Sequence, residues 1–261
     1  MPVLFWRKIM KDDLLIKSAV CYCSDGDKLQ DFGLQGIEIN KQLMPANIRR
    51  RASLTTKMAI SVATEACLQA EVNPSELASV FASVGGEIQV TDVLCRTLAD
   101  PQAMVSPTQF HNSVHNTTAG YWGILHGCQH ATTAIAAVDD TFAMALLEVW
   151  TQLQQQPGDC LLVCYDEYWP EYLAPPIGEL AFATALVLSN EEKSYAKGAI
   201  FRPQIAPEYS DFSNDLNGLI ELSPIASAIP LLQAIQHSPP LALIPLNRDQ
   251  PQWSTWFKKI T

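Results

Sequence analysis

Thr132-Thr133-Ala134-Ile135-Ala136-Ala137-Val138, followed by Asp139-Asp140-Thr141, is the stretch on which the fold turns. A short run of β-branched residues and alanines predicts a buried strand, since such side chains fit a pleated, packed surface. The chain then passes through the two aspartates into a helix expected from Thr141 to about Leu153, so this is a strand-to-helix junction. Downstream, Gln154 to Asp159 reads as an exit turn and Cys160 to Tyr165 as the next strand. A Pro175-Pro176 loop then leads to a strand over Leu180 to Leu188. Upstream, Leu14 to Tyr22 reads as a mostly buried strand. Ile48 to Ala70 reads as one long helix, with Leu54, Met58, Val62 and Ala66 at four-residue spacing beside Ala59 and Ala63. Asn73-Pro74 with Glu76 has the chemistry of a short helix start, and Ala78 to Val84 that of a strand. Gly85-Gly86 turns that strand into a helix beginning near Glu87. Beyond a loop bracketed by Pro101 and Pro107, another helix is expected over Thr108 to Gly127. Strands alternating with helices at this spacing predict an α/β protein with a parallel or mixed sheet. The pattern weakens after Asn190, where a strand over Ala199 to Ile205, a helix over Ala226 to His237, a strand over Leu241 to Leu246 and a tail with Trp253 and Trp256 are expected.

The composition narrows the function. Of 261 residues, 48% are hydrophobic and 17% charged, which places the chain among globular proteins. A net charge of −10 argues against a nucleic acid or an anionic membrane as partner. Arg49, Arg50 and Arg51 form the only basic run longer than two residues, and they read as a solvated first helical turn. The cysteines number seven, without framework spacing; Cys21, Cys23, Cys160 and Cys164 lie in apolar runs, as reduced thiols of a cytoplasmic protein would. At the N-terminus, Arg7, Lys8, Lys11, Asp12 and Asp13 interrupt the apolar start, so neither a signal peptide nor a membrane span is expected.

Two groups could carry chemistry. His111 and His115, and likewise His126 and His130, are spaced i, i+4, which on a helix allows metal binding. No acidic residue lies between Asp100 and Asp139 to complete such a site, and hydrogen-bonded or exposed histidines explain the cluster as well. Asp139 and Asp140 stand where many α/β enzymes place a nucleophile. A carboxylate there is also a helix cap, and capping would favour its ionised form. Ser113 has no elbow motif and does not face either neighbouring histidine on a helix.

The order of features from Arg49 to Ser189 resembles the N-terminal half of a β-ketoacyl synthase. The resemblance runs through Arg49 to Thr55, Ser83-Val84-Gly85-Gly86, Ser106-Pro107, Phe110, Asn112 and Asn116-Thr117-Thr118-Ala119-Gly120. It continues through Gly127, the Thr132 to Val138 strand, Gly158-Asp159 and Ala183 to Leu188. His111 to Trp122 is particularly similar to ketosynthase-like proteins of aryl polyene and related polyketide clusters. The resemblance implies a truncated thiolase-like fold, a mixed five-stranded sheet with helices on both faces. Residues 1–190 would form the thiolase half and 191–261 a short extension packed on the same domain.

Two departures from the family pattern bear on activity. Counting forward from Ala119-Gly120, the position of the family's nucleophilic cysteine holds Asp139; a register one residue off would offer Val138 or Asp140, neither a thiol. The residues after Ser189 are too few for the second half, where the family keeps its catalytic histidines, and only His237 lies there. The resemblance therefore implies a catalytically inactive, cofactor-free chain length factor. Such a subunit pairs with an active ketosynthase and, through that complex, meets an acyl carrier protein.

By the same carry-over, Val84, Gln89, Val93, Thr97, Gln109 and Phe110 are candidates for a tunnel wall, and Thr132, Thr133, Ile135 and Val138 for the subunit interface. Ordinary core packing is the competing account of each tunnel candidate. Phe110, the largest of them, is the expected stop; if it were core, truncation would cost about 3–5 kcal/mol. The alternatives are an independent enzyme using the His111/His115/His126/His130 set or the Asp139-Asp140 pair, and a homodimeric scaffold.

Overall fold

The computed structural model describes residues 13–173, 179–191 and 196–260, so the N-terminal start and the Pro175-Pro176 loop lie outside the described residues. The strands are β1 (Leu14–Cys23), β2 (Ala78–Ala82), β3 (Thr132–Ile135), β4 (Asp159–Asp166), β5 (Phe182–Ser189), β6 (Gly198–Ile200), β7 (Gln204–Ile205), β8 (Leu241–Pro245) and β9 (Trp253–Lys258). The α-helices are α1 (Gly26–Asp31), α2 (Ala46–Arg49), α3 (Leu54–Gln69), α4 (Ile88–Ala99), α5 (Pro107–Asn112), α6 (Thr117–His126), α7 (Thr141–Gln155), α8 (Asn214–Leu222) and α9 (Ile229–His237).

The strands join one sheet in the order β3-β2-β4-β5-β1-β6-β9-β7, with β8 also on β9. The first five make a mixed sheet, with β2 parallel to β3 and β4, and β5 antiparallel to β4 and β1. The C-terminal segment extends the same sheet, β6 pairing with β1 and β9 with β6. Helices cover both faces, so β4 and β5 are buried at nearly every position rather than alternately. Cys160, Leu162 and Cys164 of β4 enter one core with α7, α8 and α9. Leu161, Val163 and Tyr165 enter the other with α3 and α6. On that second face Ala181, just before β5, and Ala183 and Ala185 within it join the alanines of α3 in one core, and small residues on both sides let helix and sheet approach closely.

Several boundaries differ from expectation, each for a local reason. The long Ile48 to Ala70 helix is two, because Ser53 accepts a hydrogen bond from the Thr56 N–H (2.9 Å) and starts α3 afresh. The Thr108 to Gly127 helix is also two. It breaks at Ser113–Asn116 and closes at Gly127, which takes the left-handed conformation with φ 61°. β3 is not buried: its residues are alternately exposed and half-buried, since it is the outermost strand with only β2 as neighbour. The expected Ala199 to Ile205 strand divides into β6 and β7, and the Ala226 to His237 helix begins with a 3-10 segment, Pro224–Ala228. The tail carrying Trp253 and Trp256 is β9, and α8 was not anticipated.

Candidate functional site

The junction after β3 is sharply turned. Val138 has φ 48°, a left-handed conformation that costs a β-branched residue energy, and its side chain is 68% exposed. The strained position of the elbow therefore falls on Val138, one residue before Asp139. Asp140 stands at the N-cap of α7, but neither aspartate side chain makes the expected capping hydrogen bond. Thr141 holds the turn instead: its Oγ1 accepts from the Ala137 N–H (2.9 Å) and donates to the Val138 carbonyl (2.7 Å). Asp140 is engaged from the C-terminal segment, where the buried Asn247 Nδ2 donates to its Oδ1 (2.5 Å). Asn247 also donates to the carbonyls of Asp249 and Pro251 and accepts from the Trp253 N–H, so loop 247–251 is seated on the elbow. Burial, with Asp249 alongside, pushes the Asp139 carboxyl above its ordinary range against the opposing pull of Arg248. That is the reverse of the cap-stabilised carboxylate expected.

The thiols do not converge on this elbow. Cys21, Cys23, Cys67, Cys160 and Cys164 are buried, and burial pushes Cys21, Cys67 and Cys160 up to about 12. Cys128 donates to the Leu77 carbonyl before β3 begins, and Cys95 is exposed on α4.

The four histidines are dispersed as well. His111 is exposed on α5. His115 lies in the turn before α6, its Nε2 2.9 Å from the Ser83 carbonyl. His126 packs against Trp122 with ring centroids 4.1 Å apart and the rings tilted by 53°, and burial lowers its pKa. His130 is in the loop before β3. Among the described residues no group of three or more His, Cys, Asp or Glu side chains is placed to hold a metal.

Sequence reasoning missed a polar box at the C-terminal ends of β2 and β4. Asp166 accepts from Ser83 Oγ (2.8 Å) and from the N–H groups of Val84 (3.1 Å) and Gly85 (2.9 Å), while Ser83 Oγ accepts from the Gly86 N–H (2.7 Å). Gly86 has φ 57°, and a Cβ there would lie 3.0 Å from the His115 ring, so both backbone and space demand glycine. Burial outweighs these bonds and pushes Asp166 up to about 6, and it pushes Glu167 up to about 7. Glu87 is also buried; its Oε1 accepts from Thr56 Oγ1 (2.8 Å) and Thr118 Oγ1 (3.2 Å). The run Tyr165-Asp166-Glu167 gave no sign of this, because acidic residues after a strand read as solvated loop.

The tunnel and interface candidates lie on the periphery. Val84 is half-buried against the core, Gln89 Nε2 donates to the Tyr168 carbonyl (2.6 Å), and Thr97 Oγ1 donates to the Val93 carbonyl (2.8 Å). Gln109 is half-buried at the start of α5. Val93 is 43% and Phe110 65% exposed, which rules out core packing for both in this chain. On β3, Thr132 shares a hydrogen bond with Ser79, Thr133 accepts from Gln152, and Ile135 packs on the core. Between β3 and α6 runs a groove of about 610 Å³ lined by His115, Asn116, Ala119, Gly120, Gly123, Thr132 and Ala134. Ten of the fourteen exposed large apolar side chains among the described residues fall within 93–138 and 168–173, so the apolar surface is concentrated around this edge rather than scattered. Elsewhere, Arg51 lines a second groove of about 380 Å³ with Ile48, Thr108, His111 and Tyr121.

A mixed sheet covered on both faces, with a strand, a strained turn and a helix at its edge, defines a thiolase-like ketosynthase fold. The chain belongs to the β-ketoacyl synthase N-terminal domain family, whose pattern matches residues 30–226. Similar solved structures include the ketosynthase (ApeO) in complex with its chain length factor (ApeC) from Xenorhabdus doucetiae, at 19% identity and TM-score 0.67 over 93% of this chain and 98% of that one. The ishigamide ketosynthase/chain length factor aligns at 11% identity and TM-score 0.70 over 95% and 99% of the two chains. AntDE:AntF, a type II polyketide synthase acyl-carrier protein in complex with its ketosynthase bound to the hexaketide, aligns at 11% identity and TM-score 0.73 over 96% and 100%. No curated protein matches the sequence. Among the described residues no helix is long and apolar enough to cross a membrane.

Proposed function

We propose that this chain is a non-catalytic chain length factor. It pairs with an active ketosynthase in the cytoplasm and shapes the acyl tunnel that sets polyketide or aryl polyene length, meeting the acyl carrier protein through that complex. The observation that carries this reading is the exposed β3 edge continued by clustered apolar side chains, with an elbow that offers Val138 and Asp139 in place of a thiol. Acyl transfer to the enzyme needs a thiolate at the helix N-terminus, where the dipole and free N–H groups stabilise it. A valine cannot be acylated. A half-buried carboxyl under loop 247–251 neither attacks a thioester as thiolate does nor lies open to one. An unpaired strand edge beside a small-residue groove suits another subunit, since pairing satisfies the edge N–H and C=O groups and excludes water. In this reading, residues 1–190 supply the thiolase half, and 191–261 complete the same domain rather than form a second one.

Co-expression with the ketosynthase encoded beside it should give a complex that co-purifies and melts above the isolated chain. Incubating the chain alone with an acyl carrier thioester and reading its intact mass should show no adduct. A stable adduct mapped to residues 138–140 would overturn the non-catalytic role, and a monomeric chain indifferent to the ketosynthase would overturn the pairing.

A further inference from the structure

Helix α4 carries the proposed tunnel-wall residues Val93 and Thr97, yet Asp92 and Leu94 are its only buried residues. Besides Leu94, half-buried side chains at Ile88, Val90 and Thr91 and a Thr91 Oγ1 bond to the Ser113 carbonyl (3.3 Å) hold this helix only loosely, and a carboxylate is costly to bury without partners. Asp92 has them. The Tyr172 hydroxyl donates to its Oδ1, and Arg96 Nε donates to both oxygens (3.0 and 2.9 Å). The Arg96 guanidinium in turn lies 5.1 Å from the centre of the Tyr172 ring. One turn earlier Gln89, itself a tunnel candidate, is taken up by this contact instead: its Nε2 donates to the Tyr168 carbonyl, which leaves Val93 and Thr97 as the tunnel candidates of α4. Gln89, Asp92 and Arg96 are spaced i, i+3, i+7 and form one stripe. Residues 168–173 are laid along that stripe as a strap, with a groove of about 570 Å³ between them lined also by Pro170 and Glu171. Val93 and Thr97 each follow a stripe residue by one position, about 100° further round the helix. Whatever holds the stripe therefore aims the tunnel wall.

We propose that strap 168–173 is the positioning element of α4, with Tyr172 and Asp92 as positioning residues that set the acyl tunnel's length; this rests on the chain length reading above. The Tyr172 hydrogen bond, ahead of Arg96, holds the Asp92 carboxyl below its ordinary range, as a charge-assisted clamp should.

The test uses the heterodimer with the neighbouring ketosynthase and the variant Tyr172→Phe, which removes the hydroxyl but keeps the ring over Arg96. Amides of α4 should exchange with solvent about tenfold faster while those of α3 are unchanged. The product-length distribution should broaden at an unaltered rate of total condensation. Unchanged exchange in α4, or faster exchange with unchanged products, would overturn the strap's role. Val93→Phe separates the two levels. If it shifts products while Tyr172→Phe leaves them alone, only the strap fails; if neither moves them in an intact heterodimer, the chain length reading fails and takes the strap with it.

Discussion

Helices α3 and α4 follow one another in the chain's first half, separated by β2, and are held in opposite ways. Ten of the sixteen residues of α3 are buried, Met58, Ala59, Val62 and Ala63 completely. Two of the twelve residues of α4 are buried, and one of those is an aspartate. Dispersion and the hydrophobic effect lock α3 into the sheet regardless of any partner. One ion pair, a phenol and a glutamine place α4, while its apolar residues Val93 and Leu98 face outward. The difference separates a helix locked by apolar packing from one placed by polar contacts, whose outer apolar surface stays exposed in this chain.

The largest expected effect sharpens the α3 side. Met58→Ala deletes a fully buried side chain between α3 and the sheet, so it should cost about 2–5 kcal/mol in urea-induced unfolding. Val93→Ala on α4 should cost less than about 0.5 kcal/mol in the same assay, as exposed positions generally do. Equal costs would erase the distinction between the two helices.

The point where the first turns of the two helices meet Glu167 should be sensitive to pH. Glu167 lies beside Thr55 and the Gln89 backbone, and burial raises its pKa from 4.5 to about 7. Asp166 shifts in the same direction, to about 6. A folded-state pKa above the unfolded one favours the folded protein while the group stays protonated. The contribution is thus complete below pH 4.5 and is lost as pH rises through about 7. Comparing the chain with its Glu167→Gln variant from pH 5 to 8.5 isolates this term from the other carboxylates. The variant should gain on the order of 3 kcal/mol relative to the parent at the alkaline end. A constant difference across that range would mean that Glu167 is ionised in the fold.

What the sequence alone revealed follows the same divide. β4, β5 and α3 were readable because burial on both sides writes continuous apolar runs, from Cys160 to Tyr165 and from Ala181 to Leu188, and a stripe from Leu54 to Ala66. The run from Thr132 to Val138 was read as buried, since edge and interior strands use the same residues and only the pairing pattern tells them apart. The strain of the strand-to-helix turn falls on Val138, one residue before the Asp139 singled out from the sequence. The turn's partner Asn247 lies 107 residues from Asp140 in the chain and left no local signal. The same holds for Tyr172 on Asp92, 80 residues apart. Polar contacts between distant segments have no period, so the parts of the site built from them were invisible until the fold joined them.

The smallest effect on stability should come from the residue expected to matter most for function. Phe110 was expected to cost about 3–5 kcal/mol on truncation if it were core; at 65% exposure it is not core, and Phe110→Ala should change the isolated chain's stability by less than about 0.5 kcal/mol. That small cost makes the substitution a clean probe of the tunnel. If a partner covers α4 and α5, Phe110 becomes enclosed only in the complex. There a ring at the tunnel's far end would block extension, because forcing extra methylenes into a filled apolar pocket costs about 1–3 kcal/mol. Removing it should lengthen the products of the heterodimer while the first condensations proceed at their usual rate in the ketosynthase. Mass analysis of products from a complex confirmed intact by gel filtration decides the matter. An unchanged length distribution would leave Phe110 as interface surface alone, and α4, through Val93 and Thr97, would become the place to look for the stop.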